Sequence, residues 1–196
     1  NGLYPTLGRR AAALANLFPE AVNEFHIALR NPATMIPALV ARAPGGTYAG
    51  LMGETSPLVV RWLPAIRRLI QNVPEARIVV WCNEDTPVIW PEVLRSVAGV
   101  TPETPMEGEY DLAQSIMAET GFARMTEFLA THPPQSTSAR RKILTAFLEK
   151  FAKPDALEMD VPMPGWTADL VDDISAEYER DCDQIRRLER VEMILP

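Results

Sequence analysis

The feature that most constrains this chain is a pattern that occurs twice: a short apolar run, a polar turn, then a proline. From Glu24 to Arg30 the apolar residues Phe25, Ile27 and Leu29 alternate with others, and Asn31-Pro32 follows at once. From Ile78 to Cys82 the run is unbroken, and Asn83-Glu84-Asp85 and Thr86-Pro87 follow. Alternation over such a length reads as a strand with one covered face, and an unbroken run as a strand buried on both. Asn31 has the side chain of a helix N-cap, and Pro32 has the fixed φ that suits a first helical position. Strand, tight turn and helix, repeated, imply an α/β fold in which a small parallel sheet is flanked by helices.

The remaining segments read mainly as helix. Pro5 to Phe18 carries Leu7, Ala11, Leu14 and Phe18 at three- and four-residue spacing, an amphipathic stripe. Pro37 falls inside the helix that starts after Asn31 and is expected to kink or shorten it. "APGGTYAGLMG", Ala43 to Gly53, has five glycines and prolines and is expected to form a loop or lid. Ser56-Pro57 opens a helix to about Asn72, with Pro64 disturbing it midway. The helix after Pro87 is expected to end at Gly99, a residue suited to a C-cap. From Tyr110 onward the pattern is helical throughout, giving a helix-rich C-terminal half: Tyr110 to Glu119 and Phe122 to Ala130 parted by Gly121, Ser138 to Phe151, and a final helix capped by Thr167. That last helix carries a Leu170, Ile174, Tyr178, Ile185 and Leu188 stripe, with Asp172, Asp173, Glu177, Arg180 and Arg187 on a solvated face. Residues 1–196 are expected to form a single domain.

Charge and cysteines narrow the function classes. The 196 residues carry a net charge of −7, which argues against a nucleic-acid backbone binder. Any anion site must therefore be local, built from one or two arginines. Cys82 and Cys182 stand 100 positions apart without a C-x-x-C pair, so neither a metal site nor a disulfide framework is expected. Two reduced thiols, one in a strand core and one on a helix, fit a reducing cytoplasm. No stretch reaches the ~18 to 20 apolar residues of a bilayer span, and the first residues lack a signal peptide's apolar core, so no membrane partner is expected.

Chemistry-bearing candidates are few. Nothing matches G-x-x-x-x-G-K-[ST], G-x-S-x-G, G-x-G-x-x-G or H-E-x-x-H. His26 and His132 have no second histidine near them and read as structural. Glu84 and Asp85 stand at a strand's carboxyl end, where open α/β sheets place their sites, and serve equally to cap the following helix. Trp62, Trp81, Trp90 and Trp166 read as core anchors. Arg30 remains, at the exit of the first strand and just before the helix. Exposed N–H groups and the helix dipole favour an anion there, and a guanidinium adds a bidentate grip. The alternative is an ion pair with Glu24 or Glu84.

"EFHIALRNP" resembles the segment of sulfotransferases in which a strand ends in Arg-Asn-Pro or Arg-Asp-Pro. "RIVVWCNEDTPVIWPEVLRSVAGV" is similar to that family's later strand, acidic turn and helix, and "DDISAEYERDCDQIRRL" resembles its closing helix. The resemblance spans roughly Leu14 to Leu188. It implies a fold of the P-loop nucleotide-binding class and transfer of a sulfuryl group from the donor PAPS to a hydroxyl or amine acceptor. It also implies that Arg30, with Asn31 beside it, binds the donor's 3′-phosphate. The chain departs from the family at several points. Ala38 stands where a serine would be the second 3′-phosphate ligand, and Thr34 replaces a common acidic residue. "PGWTADL" keeps only a glycine and a tryptophan of the segment that closes over the donor. The phosphate-binding loop would lie upstream, so the chain, opening on Asn1, is expected to be the C-terminal portion of a longer one and to show no transfer by itself. No catalytic base is assigned. The rival expectation is a non-catalytic domain that kept this fold and binds a protein or glycan.

Overall fold

The computed structural model describes residues 3–18, 22–43, 45–157 and 163–196. The chain folds into α1 (Leu7–Leu17), β1 (Glu24–Leu29), α2 (Pro32–Arg42), α3 (Tyr48–Met52), α4 (Leu63–Asn72), β2 (Arg77–Cys82), α5 (Thr86–Ala98), α6 (Asp111–Ile116), α7 (Glu119–Thr131), α8 (Thr137–Phe151), α9 (Pro154–Leu157), α10 (Ala168–Arg186) and β3 (Val191–Met193). This is an α/β fold: a small parallel sheet in the order β1-β2-β3, flanked by helices, with a helix-rich C-terminal half. The register places Leu29 opposite Cys82 and Val80 opposite Met193. β2 is thus the central strand, which is why its residues form an unbroken apolar run. The helical reading of everything beyond Tyr110 missed β3, which is too short to show a period of its own.

Two compact units are present, Asn1–Asn83 with Asp160–Met193, and Glu84–Met159 with Ile194–Pro196. The first contains the sheet, and its core joins Leu29, Ile36, Ile66, Leu69, Ile78 and Val80 to Tyr178 and Ile185 of α10. Each such side chain contributes about 1.5 to 3 kcal/mol on burial. The second is helical around Met117, Met125, Leu144 and Leu148. It also buries Arg95 of α5, whose guanidinium donates to the carbonyls of Thr104 and Pro91, both at 2.8 Å, and pairs with Glu109.

Several elements differ from what the sequence leads one to expect. Ala11 of α1 is buried, but Leu14 and Phe18 are 45% and 54% exposed. The helix is seated by Gly8 instead, where a Cβ would lie 2.5 Å from the Arg68 carbonyl oxygen of α4. α2 continues through Pro37 to Arg42 rather than stopping short. The glycine-rich stretch from Ala43 to Gly53 holds the short helix α3, capped by the Thr47 side chain; Pro44 lies outside the described residues. Ser56-Pro57 opens one turn of 3-10 helix ending at Val59, and Pro64 stands in the first turn of α4, where a missing N–H breaks no helical bond. Gly121 does not separate two helices. It lies in the first turn of α7, where a Cβ would fall 2.3 Å from Cβ of Phe151. The interruption comes earlier, where Met117 forms a bridge with Ala152.

Gly99, with φ of +65°, ends α5 as expected, and Thr167 caps α10 through a bond from Leu170 N. Asp85 occupies the N-cap position of α5 but makes no side-chain capping bond, so the capping role foreseen for it is not met. Among the described residues, no helix is long and apolar enough to cross a membrane.

Candidate functional site

β1 buries Leu29 completely and then releases the chain at Arg30, beside the start of α2. Asn31 caps that helix: its Oδ1 accepts from Ala33 N at 2.9 Å, and its Nδ2 donates to Ser175 Oγ of α10 at 2.9 Å. Pro32 fills the first helical position. The Arg30 side chain folds back over the first turn, and its Nε donates to Thr34 Oγ1 at 3.1 Å. Thr34 in turn donates to the Asn31 carbonyl at 3.2 Å. The guanidinium is thus oriented by the first turn of α2, but the exposed N–H groups expected there are not found: Ala33 N is taken by Asn31 Oδ1, and Thr34 N and Met35 N by the Asn31 carbonyl, so any donors to an anion must come from Arg30 itself. Ala38 follows Thr34 by one turn of α2 and is half-buried.

The exit of β1 is held on its other sides by Trp62 and α10. Trp62 Nε1 donates to the Arg30 carbonyl at 2.9 Å, and the Tyr178 hydroxyl donates to the Leu29 carbonyl at 2.9 Å. Asp181, only 1% exposed, accepts from Trp62 N at 2.5 Å and from Leu63 N at 3.2 Å, capping α4 from a different helix. Burial raises the Asp181 carboxyl above its ordinary pKa, and these two backbone bonds act in the opposite sense. Arg61 pairs with Glu177 of α10, which also meets Arg180 at 2.6 Å. Glu177 is therefore half-buried in an ion-pair cluster, while Arg180 stays on the solvated face expected for it.

Tyr4 stacks on Trp62 with ring centroids 5.4 Å apart, and its backbone is left-handed, φ of +42°. It helps line an apolar groove of about 340 Å³ with Leu39, Leu51, Met52 and Val60. Glu24, one of the two acids suggested as partners of Arg30, bonds His26 at 3.0 Å and Arg77 at 2.9 Å. His26 is thus part of a polar chain across the sheet, which continues from Arg77 to Glu192 at 2.6 Å. At the exit of β2, Glu84 and Asp85 lie in one turn of 3-10 helix. The Asp85 carboxyl is raised first by burial and then by the Glu84 charge.

Trp62 and Trp81 are buried core anchors, while Trp90 and Trp166 are half-buried. Among the described residues, no three His, Cys, Asp or Glu side chains converge as a metal centre would require. Sequence reasoning placed Arg30 and Asn31 at one point and missed Thr34, Ser175 and Asp181 as their supports. For Asp181 a signal existed: it is the one acid in phase with the apolar positions 174, 178 and 185 of α10. Comparison with protein-family models, curated proteins and solved structures finds no match.

Proposed function

We propose that the protein binds a nucleotide 3′-phosphate at Arg30, as part of a sulfotransferase-like site that takes a sulfuryl group from PAPS to a hydroxyl or amine acceptor. The observation that carries this reading is Arg30 at the carboxyl end of a parallel strand, its Nε turned by Thr34 toward the capped start of α2. Open α/β sheets bind ligands at that end of their strands, and the Arg30 guanidinium, rather than the N–H groups of α2, supplies the donors for an anion there. The resemblance of "EFHIALRNP" to the sulfotransferase segment names the anion. The groove beside Tyr4 is joined to Arg30 through Trp62 and offers an apolar bed for an acceptor. Such transfer depends on positioning and charge stabilisation more than on a covalent intermediate, by analogy with phosphoryl transfer.

Ala38 gives no hydroxyl where the family uses serine, which favours the second reading, a non-catalytic domain that binds a protein or glycan. Titration of adenosine 3′,5′-bisphosphate into the protein and into Arg30→Ala separates the two. The enzyme-like reading expects weak binding that the substitution reduces about ten- to a hundredfold, the worth of one or two charge-assisted hydrogen bonds. Absence of binding, or binding indifferent to Arg30, would overturn it.

A further inference from the structure

Cys82 closes β2 and Cys182 lies on α10, 100 positions further along, yet their sulfurs are 3.7 Å apart, within hydrogen-bond reach of each other. Both are thiols rather than halves of a disulfide. Cys182 is buried in the core of the sheet-bearing unit, while Cys82 is half-buried. We propose that Cys82 and Cys182 form an oxidisable pair, which a hydroperoxide converts to an intramolecular disulfide tying α10 to the carboxyl end of β2.

The geometry favours ring closure over other fates of the sulfurs. A disulfide needs the sulfurs at about 2.05 Å, so the gap between them has less than 2 Å to close. The backbones that carry them are already fixed nearby. Tyr178 and Asp181, one turn and one residue before Cys182, are bonded to the Leu29 carbonyl and to the Trp62 and Leu63 amides. Cys82 is the more exposed of the two residues, so the first oxidation is assigned to it. Its thiolate attacks one peroxide oxygen, the O–O bond breaks, and the departing hydroxide takes up a proton as water, leaving a sulfenic acid on Cys82. Cys182 then gives up its proton and its sulfur displaces hydroxide from that sulfenic acid. The S–S bond forms and a second water leaves. The two sulfurs lose two electrons and two protons, which reduce the peroxide.

Before oxidation Cys182 is held strongly protonated, first by its hydrogen bond with Cys82 and then by burial, while the Tyr178 hydroxyl acts in the opposite sense. The disulfide would act on the helix that supplies Ser175 and Tyr178 to the exit of β1 and Asp181 to the start of α4. It does not depend on what Arg30 binds.

The test treats the full chain with rising hydrogen peroxide, blocks residual thiols under denaturing conditions, and maps the peptides by mass. The expected result is a monomer whose two thiols disappear together, with one peptide pair joining Cys82 to Cys182, restored by dithiothreitol. In Cys182→Ser, a sulfenic-acid trap should instead mark Cys82. Both thiols surviving peroxide that oxidises the methionines would overturn the proposal. So would over-oxidation of Cys82 with Cys182 intact, or a link between chains. The wild-type map decides the matter even if the variant folds poorly.

Discussion

At the scale of single residues, buried polar groups do the work that apolar patterning cannot report. Asp181 satisfies the first amides of α4, so Asp181→Ala leaves two buried N–H groups without their acceptor. At about 1 to 3 kcal/mol for each such group, the loss in a denaturant titration is expected to be large. Asp181→Asn keeps one acceptor oxygen and should lose much less; equal losses would contradict the capping role. Glu24 behaves differently with pH. Its carboxyl lies below the ordinary value chiefly through its hydrogen bond with His26; burial opposes this and the Arg77 charge adds to it. The native state thus holds this proton less tightly than the unfolded chain. The resulting stability is present above the ordinary glutamate range and fades as pH falls through the lower native value. Melting temperatures taken from about pH 6 to about pH 3 should therefore fall less steeply for Glu24→Gln than for the wild type.

At the scale of elements, close approach and capping decide where helices begin and how they seat. Gly8→Ala would set a Cβ against the Arg68 carbonyl, a rigid backbone neighbour, so the α1–α4 contact must open. The expected cost is about 1 to 3 kcal/mol, read as a lower denaturation midpoint; an unchanged midpoint would mean that α1 is not seated as described. On α2, Thr34 and Ala38 stand one turn apart, and Thr34 already orients Arg30. If Arg30 grips a 3′-phosphate, Ala38→Ser should tighten adenosine 3′,5′-bisphosphate about tenfold by adding a hydroxyl donor, measured by calorimetry. These cases show what was legible in the sequence. Strands β1 and β2, the Asn31-Pro32 start of α2, the Gly99 end of α5 and the Thr167 cap of α10 were readable because each rests on local chemistry. Gly8 and Gly121 were not, because a glycine's role in packing depends on what faces it, and Phe151 lies 30 positions beyond Gly121. The short strand β3 exists through its pairing with β2 and has no signature of its own.

At the scale of the whole molecule, the helix that closes the sheet-bearing unit also supports the site. α10 sends Ser175 to Asn31, Tyr178 to Leu29, Asp181 to Trp62 and Cys182 to Cys82. Arg30 and Asn31 could be picked out from the sequence as neighbours at a strand exit, but the bonds from Ser175 and Tyr178 come from more than 140 positions away, and only Asp181, 119 positions from Trp62, left a trace in the helical pattern. The net charge of −7 repels a doubly phosphorylated nucleotide, so any grip must come from this local constellation. The most direct test compares adenosine 3′,5′-bisphosphate with adenosine 5′-monophosphate by calorimetry on the wild type and on Arg30→Ala. If Arg30 holds the 3′-phosphate, the wild type prefers the bisphosphate by about tenfold or more and the preference vanishes in Arg30→Ala. Equal affinity for the two nucleotides in the wild type, or a preference that survives the loss of Arg30, would contradict the site.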